Sequence, residues 1–240
     1  MKRLALGCML LAAASVASAT TTFIAQGNTN PGNNSIFAEA DFTFTNTTLT
    51  LTLTNLLVNP TSVGQNISDF EFTIASLSAT NATLAPYPAT KAPQLVTINA
   101  PSYVVSNTNS TTGPPGWTFD YSAGNFALNG LGAAHTPAYT IVGPAGASGY
   151  TNANPSLGGP HNPFIYETAT WVFNIVNPSG LAQSITNVNF SFGTTAGDNY
   201  TCGAPGQFCY APEPGSWLLI GSGLAVLLVF ARKSARKTTA

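Results

Sequence analysis

The chain has 240 residues, of which 6% are charged and 44% hydrophobic, with a formal net charge of −1. That apolar fraction excludes the low-hydrophobicity, high-charge composition of a disordered chain, and the charged fraction is far below the ~25% of an ordinary soluble domain. Over residues 20–211, Lys91 stands alone against Glu39, Asp41, Asp69, Glu71, Asp120, Glu167 and Asp198, a balance of −6; this excludes nucleic acid as a partner, since binding it needs cations to neutralise phosphates.

The N-terminus opens on Lys2-Arg3, continues through an apolar run from Leu4 to Val16 and closes on Ala17-Ser18-Ala19. A short charged start, an apolar stretch and a small-x-small site together predict a signal helix over residues 1–19. The expected partners are the secretory translocase and signal peptidase, which cuts between Ala19 and Thr20. Most of the apolar run follows Cys8, so a lipoprotein cysteine is not expected there.

Residues 20–210 form the expected exported domain. From Ser35 onward the pattern repeats every two residues. Ala38, Ala40, Phe42 and Phe44 alternate with Glu39, Asp41 and Thr43; Leu49, Leu51 and Leu53 alternate with threonines; Phe70, Phe72 and Ile74 alternate with Asp69, Glu71 and Thr73. Each run predicts a strand with an apolar inner face, and Asn46-Thr47 is placed to connect the first two. Later strands are expected at Leu95–Ile98, Trp117–Tyr121, Ala138–Val142, Ile165–Val176 and Ile185–Phe192. Trp171, Phe173, Ile175, Val188, Phe190 and Phe192 would form their inner face. The expected class is all-β, an antiparallel β-sandwich of jelly-roll or immunoglobulin-like kind. Residues 101–163 are rich in Pro, Gly and Asn, which predicts long loops or edge strands, either as a decorated loop face or as a second, loosely packed subdomain.

Cys202 and Cys209 are the only cysteines beyond the signal segment, and an oxidising destination predicts a disulfide between them. Catalytic groups are scarce. His135 and His161 lie among Gly and Pro, and Gly146-Ala147-Ser148-Gly149-Tyr150 lacks the final glycine of a nucleophile elbow. Two carboxylate pairs are weak calcium candidates, Glu39 with Asp41 and Asp69 with Glu71. They would cluster only if their strands were neighbours; paired carboxylates also raise glycoside hydrolysis, while a solvated strand face is the simpler reading. Trp117, Tyr121, Tyr139 and Tyr150 are candidates for a sugar-stacking platform, with core packing as the alternative for Trp117. No cofactor and no catalytic residue are expected.

The C-terminal stretch, residues 211–237, has three parts in order: Pro212-Glu213-Pro214, an apolar run from Trp217 to Phe230, and a basic stop of Arg232, Lys233, Arg236 and Lys237. The run is short against the roughly 20 residues of a spanning helix, and the flanking cations allow it to insert with the tail in the cytoplasm. This order resembles the PEP-CTERM sorting signal of Gram-negative bacteria that make exopolysaccharide. The resemblance implies processing by an exosortase, a transient stay in the inner membrane through the C-terminal transmembrane helix, and then the cell surface or the extracellular space. The expected function is a non-enzymatic structural or adhesive role in a biofilm matrix, with exopolysaccharide as a possible partner. A surface carbohydrate-binding module is the alternative and a secreted glycoside hydrolase the third.

Overall fold

The computed structural model describes residues 20–29, 34–45, 47–74, 77, 82–85, 91–110, 113–131, 136–175, 185–194 and 199–201. The expected signal segment, the two cysteines of the expected disulfide, His135, Asn46 and the whole of the expected sorting tail lie outside the described residues. Among the described residues no helix is long and apolar enough to cross a membrane.

The described chain is all-β, apart from the 3-10 turn at Val63–Gln65 and a 3-10 position at Lys91. Its strands are β1 (Thr20–Asn28), β2 (Ser35–Phe44), β3 (Thr48–Asn55), β4 (Ile67–Ile74), β5 (Ala82–Leu84), β6 (Gln94–Asn99) and β7 (Ser102–Asn107). There follow β8 (Thr118–Ser122), β9 (Asn125–Asn129), β10 (Ile141–Val142), β11 (Phe164–Tyr166), β12 (Thr168–Ile175), β13 (Ile185–Phe192) and β14 (Asn199–Thr201). The first sheet runs β1-β2-β3-β12-β5. The second runs β14-β13-β4-β10-β11-β6-β7, with the β8–β9 hairpin joined to β4 through β9. Pairing is antiparallel except between β10 and β11, which run parallel.

Alternation sets the faces. On β2, Ala38, Ala40 and Phe42 are fully buried; on β3, Leu49, Leu51 and Leu53 are too, while the intervening threonines face outward. Thr45 donates its N–H to Thr48 O across the β2–β3 connection, as the expected turn requires. The two sheets meet through aromatic rings. Phe42 lies 4.9 Å from Phe72, Phe126 lies 5.4 Å from Phe173, and Trp117 lies 5.0 Å from Trp171, all edge to face. Such contacts contribute about 0.5–1.5 kcal/mol each beyond the area they bury.

The second sheet is buried on both faces at its middle. Ile141 and Ile165 belong to the core between the sheets, while their chain neighbours Val142 and Phe164 point into a second core on the outer side. That second core is filled by Tyr150 and Leu157, both fully buried, from the Pro- and Gly-rich stretch expected as loops. The Tyr150 hydroxyl donates to Gly143 O at 2.7 Å, so its polar end is satisfied. Gly143 permits this layer to close: a Cβ there would sit 2.0 Å from Leu57 O.

Two expected strands are shorter than the residue pattern predicts, and both break at a backbone of positive φ. The Ile165–Val176 run divides at Glu167 (φ 60), where the chain leaves β11 in the second sheet and enters β12 in the first. In Ala138–Val142 only Ile141–Val142 is strand, because Tyr139 turns the chain at φ 67. The Tyr139 N–H donates to Pro163 O, and its carbonyl accepts from Trp117 Nε1 at 2.9 Å. β1, β5, β7, β9 and β14 carry no strong alternation and are added by the structure.

Neutral amides join the sheets. Asn55, 1% exposed at the end of β3, donates through Nδ2 to Gln65 O at 2.9 Å and Ile141 O at 3.0 Å. Its Oδ1 accepts from Leu57 N–H at 3.1 Å. Gln65 accepts through Oε1 from Thr61 and Ser62 and donates to Ser35 O at 2.9 Å.

Candidate functional site

The four carboxylates do not meet. Glu39 and Asp41 lie on the outer face of β2 in the first sheet; Asp69 and Glu71 lie on β4 in the second, with the core between them. Strand alternation places each pair on one face but says nothing about which sheet receives the strand. Among the described residues no group of three or more His, Cys, Asp or Glu side chains could hold a metal ion. Burial, with the neighbouring Asp41 carboxylate, raises the Glu39 carboxyl above its usual range. The Thr22 hydroxyl donates to Asp41.

The expected aromatic platform is also divided. Trp117 packs edge-on against Trp171, Tyr121 packs against Phe126, Tyr139 covers Gly116, and Tyr150 is enclosed. These rings build the cores and offer no common exposed face. Gly146 and Gly149 form a tight turn with reciprocal N–H to O bonds, so Ser148 sits in a turn and not on an elbow. His161 is half-buried on the following loop.

A different group of side chains converges where the chain changes sheets. Lys91, Gln94, Tyr166, Glu167, Thr168 and Thr170 line a cleft of about 290 Å³. The cleft forms because the positive φ of Glu167 turns the chain between β11 and β12, leaving space beside β6. Its walls offer an ammonium, a carboxylate, an amide, two hydroxyls and one phenol ring. Burial and the Glu167 carboxylate hold the Tyr166 phenol well above its usual range. The Tyr166 ring is stacked on Tyr103 at 6.2 Å. The residue pattern does not mark this cleft: Lys91 stands out there only as the lone cation of residues 20–211, and the other lining residues come from separate strands and share no motif. No protein-family model, no curated protein and no solved structure matches the chain.

Asp69 shows how burial weighs on the outer faces. Its carboxyl is raised above the usual range, chiefly by burial, while the Gly130 and Leu131 N–H groups and the Ser68 hydroxyl pull it down. The folded chain therefore keeps this proton to higher pH than the unfolded chain does. Stability supplied by the protonated form is lost as pH rises from the usual carboxylate range through the raised value. Asp69→Asn is expected to flatten that fall and raise the urea midpoint at neutral pH. Urea unfolding between about pH 4 and pH 7 checks this; an unchanged slope would contradict it.

Proposed function

We propose that this is an exported cell-surface or matrix protein, sorted through its C-terminal tail, whose β-sandwich of jelly-roll or immunoglobulin-like kind has a structural or adhesive role without catalysis. The observation that carries the reading is the order of Pro212-Glu213-Pro214, the apolar run Trp217 to Phe230 and the basic stop, with a signal-like segment at the other end. Signal peptidase would cut before Thr20 and an exosortase would act at the tail. The Cys202–Cys209 disulfide would form once outside the cell. The low charge, the threonine-covered outer face of the first sheet and the separation of the carboxylates support a surface role over hydrolysis.

The two prolines hold the chain extended and remove amide donors, so the segment just outside the membrane can enter a protease cleft as a strand. Replacing Pro212, Glu213 and Pro214 with alanine is expected to leave the full-length protein in the inner membrane of a host carrying the sorting enzyme. The unaltered chain should lose its tail, as read by immunoblot. Equal retention of the tail in both would reduce the segment to a plain membrane anchor.

Saccharide binding is the second reading, favoured by the cleft around Tyr166, where one ring adjoins hydroxyl, amide and charged groups. Stacking on a sugar face through that ring would make binding depend on it. Glycan-array binding by the exported protein should then disappear in Tyr166→Ala; binding that is absent, or unaltered by the change, would remove this reading.

A further inference from the structure

Strand β7 is the exposed edge of the second sheet. Among the described residues it pairs only with β6. Five of its six positions are exposed, with Val104 at 66% and Tyr103 at 38%. Edge strands normally carry a charge, a proline or a bulge that prevents another strand from adding to them. The sequence Ser-Tyr-Val-Val-Ser-Asn carries neither charge nor proline, and its register with β6 is unbroken. The other long edge, β1, exposes no large apolar side chain, and β5, which exposes Leu84, has only three residues.

We infer that β7 is a self-pairing edge, on which a second copy of this chain adds its own β7 antiparallel and continues the sheet. Geometry restricts the register. Residues opposite one another in an antiparallel pair point to the same face, and a two-fold axis perpendicular to the sheet preserves the faces. The paired positions must then be of like parity. Centring the axis on Val104 sets Val104 against its own copy, Tyr103 against Val105 and Ser102 against Ser106. Aromatic–β-branched and hydroxyl pairs of this kind stabilise strand pairing.

The strand's self-complementary order favours a second copy as the occupant, and its lack of charge does not oppose one. The described acids lie on β2, β4 and β8 and at Glu167; β6 and β7 carry none. Two copies can pair through β7 without an acid on either paired strand facing its like. Tyr103 is also held in place, packed edge-on to Tyr150 at 5.4 Å and stacked on Tyr166. A six-residue pairing alone is smaller than the roughly 1,200–2,000 Å² of a stable complex, so the association is weak and reversible. Such a contact would let copies of the chain join without a dedicated partner. It does not depend on how the chain is exported or sorted.

The test is Val104→Cys in the full chain. Opposed Cα atoms about 4.5–5.5 Å apart in an antiparallel pair fall within the roughly 4.4–6.8 Å that a disulfide spans. Mild oxidation should give a covalent dimer released by reductant. The same treatment of Val58→Cys, at an exposed site elsewhere, and of the unaltered chain should give far less. In sedimentation, the unaltered chain should associate reversibly as concentration rises. Val104→Lys should shift it to monomer without lowering the melting temperature, and Val104→Thr should retain association. A cysteine dimer no more abundant than the Val58 control, or association unaffected by Val104→Lys, would overturn the inference.

Discussion

The side chain of Asn55 holds the two sheets in register with one another. It leaves the end of β3 in the first sheet and donates to carbonyls of Gln65 and Ile141, the latter in β10 of the second. The same residue receives the Leu57 N–H on its oxygen and donates its own N–H to Glu167 O. All of this lies in the interior, where an unpaired polar group costs about 1–3 kcal/mol. A neutral amide suits the position because it offers two donors and an acceptor without a charge to desolvate. The sheet crossing at Glu167, and with it the cleft, is fixed against this point.

The same solution recurs across the molecule. Gln65 gathers the turn after β3; Asn66 donates to the Thr140 hydroxyl, which donates in turn to Pro137 O. Asn162 receives the Ile98 N–H and donates to carbonyls of Ile98 and Gly159, fastening the outer layer to β6. With 6% of its residues charged, the chain satisfies its buried loop backbone through Asn, Gln and Thr. Burying an ion would require desolvation that such amides avoid. The aromatic layer between the sheets then supplies the non-directional part of the stability, and the amides supply the alignment.

Much of the first sheet and the centre of the second was legible in residue pattern alone. Leu49, Leu51 and Leu53, and Phe70, Phe72 and Ile74, alternate with polar residues and are all buried. Alternation reports the face of a strand, so it carried no information on the sheet that each strand joins. That is why Glu39 with Asp41 and Asp69 with Glu71 were individually well placed and yet fall on opposite sides of the molecule. β7 has no readable period because both its faces are largely exposed. Tyr150 and Leu157 fill a core from a segment with no regular repeat, and their role follows only from the covered face of β10, β11 and β6. The cleft is of the same kind: Lys91, Tyr166 and Thr170 come together through the turn at Glu167, and no local motif announces that turn. The proposed sorting tail, in contrast, rests on consecutive residues, Pro212-Glu213-Pro214 followed by an apolar run and a basic stop.

If a neutral amide at Asn55 aligns the sheets, then changing one atom of that side chain should matter more than removing a larger apolar contact. Asn55→Asp keeps the shape but replaces the donors with a buried acceptor facing two carbonyls. The account predicts a loss of roughly 3 kcal/mol or more at neutral pH, partly recovered at low pH where the carboxyl is protonated and can donate once. Urea unfolding across pH is the direct measurement. Stability equal to that of the unaltered protein at neutral pH would contradict the claim that this amide holds the two sheets together.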